Sequence, residues 1–84
     1  MNAEINAEQL IEFLQPHFPE GLIQAANNGN NFDVRVVDAC FEGKRSVQRQ
    51  QVVLGLTNEL ISSGAIHALN IQALTPAEWE AKQG

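Results

Sequence analysis

Cysteine is almost missing from this sequence: among 84 residues there is one, Cys40. No internal disulfide can form, which excludes a disulfide-stapled scaffold and favours a reducing compartment. Positive charge is scarce as well. Five lysines and arginines stand against ten aspartates and glutamates, a net charge of −5, whereas proteins that neutralise duplex-DNA phosphates usually carry a basic surplus. No apolar run approaches the roughly 20 residues that span a bilayer. The opening MNAEINAEQL holds neither a basic nor an apolar region, so no secretory signal is expected. These absences together predict a cytoplasmic domain without membrane contact. The sequence also lacks G-x-G-x-x-G, a Walker loop, a nucleophile elbow and paired zinc-binding cysteines. Its carboxylates are spread over predicted helix faces, no catalytic residue stands out, and an enzyme is not expected.

What is present is an ordinary globular composition, 44% hydrophobic, sufficient for one packed domain over residues 1–84. Asn6 and Gln9 have capping-box spacing, and Leu10, Phe13, Leu14 and Phe18 follow at helical intervals, predicting a first helix that ends near Pro16. EGLIQAA reads as a short strand and NNGNN as a turn. In FDVRVVDACF the residues Phe32, Val34 and Val36 alternate with Asp33 and Arg35, which predicts the second strand of an antiparallel hairpin. A long helix is expected from about Ser46 to Ser63. Val47, Leu54 and Ile61 recur seven apart along it, with Val53, Leu56 and Leu60 alongside, and Gly64 stands where a C-terminal cap belongs. IHALNIQAL is a third strand, with His67, Leu69, Ile71 and Ala73 on one face and Asn70 and Gln72 on the other. Thr75, Pro76 and Glu78 then open a short helix in capping-box spacing, and Trp79 is expected to anchor it. The order helix–strand–strand–helix–strand–helix predicts an α+β, KH-like fold: a three-stranded sheet with helices on one face.

Few residues carry chemistry. Lys44, Arg45 and Arg49 cluster at the start of the long helix, a basic patch that is either solvated surface or a contact for one anionic partner. Gly43 lies in FEGKRS, but position 46 is Ser46, so the G-x-x-G loop with which KH domains clamp nucleic acid is absent. Gly43 then reads as a strand-to-helix turn. His17 suits a helix end, as do Ser62 and Ser63. His67 stays open as packed core, metal ligand or proton carrier. Cys40 reads as a small buried hydrophobe or a ligand. A thiolate and an imidazole together suit iron in a cluster, and two ligands are too few for a closed site, so any metal must be shared with another molecule.

VVDACFEGKRSVQRQQVV followed by IHALNIQALTPAEWE resembles the BolA family, whose pattern is a strand, F-x-G-K/M, a long helix and I/V-H-A-x-x-I-x-A-x-T-P-x-E-W. The likeness spans about residues 32–80. QRQQ at 48–51 is similar to the short bacterial IbaG/YrbA branch, where the main branch tends to have RHR. The resemblance implies a KH-like fold without the clamping loop and a non-catalytic adaptor that partners a monothiol glutaredoxin. It would serve [2Fe-2S] cluster assembly or trafficking, or iron and redox regulation. The cluster would be shared with glutaredoxin and glutathione, with none held by the isolated chain, which would be a monomer or weak homodimer. His67 matches the family's histidine and would be the cluster ligand, with Cys40 a second candidate. From the position of their charges alone, and not from the resemblance, Lys44, Arg45 and Arg49 are expected to receive glutathione carboxylates or an acidic partner face. The family often takes its second ligand from the loop before the second strand, where this chain has Asn31, a poor ligand for cluster iron. The alternative that the resemblance leaves open is a nucleic-acid-binding transcriptional regulator of the acid or general stress response, which the net charge disfavours.

Overall fold

A computed structural model describes residues 5–29 and 31–83. Asn6 initiates helix α1, Ala7–Leu14: its side chain accepts from the Gln9 N–H (2.8 Å), and the Gln9 side chain accepts from the Asn6 N–H (2.9 Å). Leu10 and Leu14 lie on the inner side of this helix, and a single 3-10 turn over Gln15–His17 carries the chain on to the buried Phe18. Strands β1, Leu22–Asn28, and β2, Asn31–Val37, form the expected antiparallel hairpin, with Asn28 opposite Asn31. Of the expected turn NNGNN, Gly29 has a φ of 63°, while Asn30 lies outside the described residues.

After β2 a 3-10 turn, Ala39–Phe41, drives Phe41 into the core against Phe18, ring centroids 5.8 Å apart. Gly43, at a φ of 79°, takes a conformation that costs a side-chain-bearing residue energy, and this turn launches helix α2, Ser46–Ser62. Gly64, at a φ of 84°, ends the helix by donating to the Ile61 carbonyl, 3.2 Å. Strand β3, Ala68–Leu74, then pairs parallel with β2, so the sheet is mixed with order β1-β2-β3. Helix α3, Pro76–Gln83, opens with the expected box: Glu78 N–H to Thr75 Oγ1 at 3.2 Å, Thr75 N–H to Glu78 Oε1 at 2.9 Å.

The core lies between one sheet face and helices α1 and α2. Leu10, Leu14, Phe18, Ile23, Phe32, Val34, Val36, Phe41, Val53 and Ile66 form one buried cluster. Burying each such side chain contributes about 1.5–3 kcal/mol. Two expectations change in detail. The long helix buries the expected Val53 and packs Leu56, Leu60 and Ile61 against the core, but it leaves Val47 67% and Leu54 39% exposed. Thr57 is buried with Val53, and the Thr57 hydroxyl donates to the Val53 carbonyl at 3.0 Å, which makes a polar residue tolerable there. Helix α3 also leaves the common layer. Its Trp79 ring lies 4.7 Å from the Arg35 guanidinium, and Arg35 belongs to the sheet face opposite Phe32, Val34 and Val36. The final helix therefore turns round the β3 edge.

Candidate functional site

His67 precedes the third strand rather than opening it, and it is exposed. The packed-core reading is corrected on that ground. The segment that carries it is rigidly held. Gly64 stops α2, Ile66 donates its N–H to the Leu60 carbonyl (3.1 Å), and Ala65 and Ile66 are 3% and 1% exposed. Two anchored residues thus thrust the imidazole outward from a fixed backbone. Because Ala68 pairs with Asn31, His67 stands beside the hairpin turn. That turn is itself tied down, since the Asn27 side chain accepts from the Ala7 N–H at 3.2 Å and donates to the Gly29 carbonyl at 3.3 Å. The surroundings of His67 are amides and hydroxyls: Asn28, Asn31, Asn70, Ser62 and Ser63 are all exposed. This end is rich in amides, with the Asp33 carboxylate accepting from the Asn70 side chain at 2.9 Å. Asn31, paired with Ala68 next to His67, offers only a carboxamide, a weak donor for cluster iron.

Cys40 lies at the other end. It follows the C-terminal end of β2, whereas His67 sits beside the start, and a strand rises about 3.3 Å per residue. From Asn31 to Val37 that separates the two ends by roughly 20 Å. Cys40 and His67 cannot ligate one cluster, which corrects the pairing expected of them. Among the described residues no group of three or more His, Cys, Asp or Glu side chains could hold a metal ion. The Cys40 thiol is pushed above its usual value of 9.0, first by partial burial of the sulfur and then by the hydrogen bond and charge of Asp38, with Lys44 opposing. A protonated thiol is a poor ligand and a poor nucleophile.

The three basic residues share this far end and have separate duties. Lys44 Nζ donates to the Cys40 carbonyl at 3.2 Å. Arg49 is committed internally: it donates to the carbonyls of Lys44 (2.9 Å) and Ala73 (3.2 Å) and forms an ion pair with Glu78 at 2.6 Å. Its guanidinium holds the Glu78 carboxyl below the ordinary 4.5. Arg49 is thus a clasp between α2, β3 and α3, leaving Lys44 and Arg45 as the exposed cations. Neither stands near His67, so these residues do not serve as glutathione contacts for a cluster held there.

A further row of side chains is brought together only in three dimensions. On the open sheet face Arg35 donates to Gln72 Oε1 (2.6 Å) and Gln24 Oε1 (2.8 Å) beneath the Trp79 ring, and Asn70 donates to Asp33 at 2.9 Å. Its signal in the sequence was the outward alternation of Asp33, Arg35, Asn70 and Gln72. Which of them touch depends on strand register.

The family model for BolA-like proteins matches residues 13–78. The chain is 45% identical over 75 residues to a protein from the rpoN-murA intergenic region of Acinetobacter guillouiae, covering 89% of this chain and 90% of that one. It is 40% identical over 57 residues to the acid stress protein IbaG of Escherichia coli, 68% of each chain. With the DNA-binding transcriptional regulator BolA of Haemophilus influenzae it shares 34% identity over 85 residues, 94% of this chain and 82% of that one. Among solved structures, a BolA protein homologue from Coxiella burnetii superposes with a TM-score of 0.80 at 25% identity, over 90% of this chain and 97% of that one.

Proposed function

The chain belongs to the BolA-like family, and from that premise we propose that it is a non-catalytic adaptor that docks a monothiol glutaredoxin and lends His67 to a shared [2Fe-2S] cluster. The observation that carries this reading is the exposed imidazole of His67 on an anchored segment beside the hairpin turn. A cluster ligated by thiolates is anionic. Carboxylates would repel it, and the amides of Asn28 and Asn31 at the turn do not. One imidazole beside Asn31 fits a single ligand to a cluster whose other ligands come from glutaredoxin and glutathione, and it does not fit a self-contained site. A neutral imidazole in place of a thiolate raises the reduction potential of such a centre and makes its binding sensitive to protonation. Cys40 has no part in this reading.

The test mixes the protein with a cluster-loaded monothiol glutaredoxin and glutathione, following visible absorption and circular dichroism, with His67→Ala in parallel. A new cluster spectrum that the variant lacks supports the shared-ligand role. Identical spectra in both proteins remove it and leave adaptation by contact alone.

The similarity to the Haemophilus DNA-binding regulator favours a second reading, a nucleic-acid-binding regulator of the acid or general stress response. Its physical handle is the exposed pair Lys44 and Arg45 beside the Gly43 turn. Two phosphate contacts give a logarithmic salt slope of only about −2 on duplex DNA. DNA binding with a slope of about this size, lost on Lys44→Glu with Arg45→Glu, would establish this reading in place of the first.

A further inference from the structure

The sheet face turned away from α1 and α2 carries two polar rows that cross all three strands by register. Gln24, Arg35 and Gln72 form one row, and Ala26, Asp33 and Asn70 the next. These six residues line a groove of ≈ 350 Å³, the low end of the range for small-ligand sites. The first row offers donors. Arg35, under the Trp79 ring, gives its Nε–H to Gln72 Oε1 and an Nη1–H to Gln24 Oε1, 2.6 and 2.8 Å. A guanidinium only donates, so both glutamines turn their carbonyl oxygens to it and their NH2 groups away. Among the described residues no group accepts from Arg35 Nη2 or from either glutamine Nε2. The second row offers acceptors. Asn70 donates to Asp33 Oδ1 at 2.9 Å, and among the described residues no group donates to Asp33 Oδ2 or Asn70 Oδ1. Asp33 and Arg35 lie two residues apart on one strand face and form no ion pair with each other, because each is drawn sideways to its cross-strand amides.

We propose that this groove binds the head group of an α-amino acid, its carboxylate on the donor row and its ammonium on the acceptor row. A simple anion would meet Arg35 but be repelled by Asp33, and a simple cation the reverse. A zwitterion satisfies both rows with charge-assisted hydrogen bonds. The rows are roughly 6.6 Å apart along each strand. Once a hydrogen bond on each side is allowed for, the ligand's two charges must lie within about 3 Å of each other. Ammonium and carboxylate on one carbon meet that spacing. Ala26, opposite Asp33 on β1, is the one small side chain in the two rows, so the ligand's own side chain has room to leave over it. The two glutamines and the Trp79 ring hold the guanidinium in place beforehand, which lowers the ordering cost of binding. The same head group occurs on free amino acids and on γ-glutamyl peptides.

Nitrogen–proton correlation spectra of the full chain, titrated with L-alanine to about 10 mM, test the proposal. L-Alanine is expected to move the side-chain amide signals of Gln24, Asn70 and Gln72 and the Trp79 indole signal. It should bind about tenfold more tightly than acetate, ethylamine or 4-aminobutyrate, whose charges are single or farther apart. γ-Glutamylglycine separates the two sources: equal or tighter binding assigns the groove to γ-glutamyl peptides, and weaker binding to free amino acids. Asp33→Asn, an exposed and nearly isosteric change, is expected to keep acetate binding and abolish the preference for L-alanine over it. Ala26→Leu alters no charge and is expected to weaken L-alanine binding about tenfold by filling the groove. The absence of any shift at the highest concentration overturns the proposal. Acetate binding as tightly as L-alanine to the wild type overturns it too, leaving an anion contact only. So do shifts confined to Lys44 and Arg45, a preference for L-alanine that survives Asp33→Asn, or binding indifferent to Ala26→Leu.

Discussion

At one end of the sheet His67 stands out from a fixed backbone among Asn28, Asn31 and Asn70, all exposed. At the other end Asp38 accepts from the Cys40 N–H, Lys44 donates to the Cys40 carbonyl, and Arg49 donates to the Lys44 carbonyl and to Glu78. Both ends hold a side chain able to bind metal, yet their surroundings make them chemically unlike. The imidazole is exposed on an anchored segment beside the hairpin turn. The thiol has a carboxylate beside it and is held protonated. Residue type alone therefore does not nominate a ligand. Cys40 is exposed like His67, contrary to the buried-hydrophobe reading of its sequence, and its neighbours rather than its burial set its chemistry apart.

Exchanging the roles of the two ends gives the largest expected effect. His67→Ala is expected to abolish the mixed cluster spectrum with glutaredoxin, and Cys40→Ser to leave it intact. A cluster lost with Cys40 and kept without His67 would invert the comparison. For stability the order reverses. Phe41 is fully buried against Phe18, so Phe41→Ala should cost about 3–5 kcal/mol in urea unfolding, whereas His67→Ala, on the surface, should stay within about 0.5 kcal/mol.

Acid titration probes the Arg49–Glu78 pair more gently. The Glu78 carboxyl is held below 4.5 by Arg49, so the stabilisation from this pair is present above that value and lost as the pH falls through the lower, folded-state pKa. Thermal midpoints measured between pH 6 and about pH 3 should fall less steeply in Arg49→Met than in the wild type. Equal slopes would mean the clasp contributes nothing to acid sensitivity. The smallest effect concerns Cys40. Its alkylation by iodoacetamide at pH 7.5 should be slower than that of free cysteine and should rise with pH through a midpoint above 9.0. A midpoint below that of free cysteine would make the far end reactive and erase the contrast.

His67 stood out in the sequence as a candidate ligand because a histidine followed by an alternating strand and the T-P-x-E-W helix start resembles a family pattern. Its placement was not legible. Counting alternation from Leu69 backwards puts it on the inner face, yet the strand begins one residue later and the imidazole is outside. The stripe of Val47, Leu54 and Ile61 misled at its first two members for a related reason. Three apolar residues seven apart share one line of a helix, but counting apolar residues cannot detect Thr57, which enters the core by bonding its hydroxyl to the preceding turn.

What the sequence settled by itself is local. Asn6 with Gln9 and Thr75 with Glu78 cap their helices through contacts three residues long, and Gly43 and Gly64 mark turns that need a positive φ. Alternation in β2 sorted Phe32, Val34 and Val36 from Asp33 and Arg35. Such rules act over one turn or one pleat, so the order of neighbouring residues contains them. Tertiary structure alone decided that Arg49 reaches Glu78 and that Trp79 covers Arg35. It also decided that Cys40 and His67 lie at opposite ends of the sheet. Each of these depends on the register of β2 against β3 and on the rotation of α2 about its axis, which follow from burying all the apolar faces at once and not from any single stretch of chain.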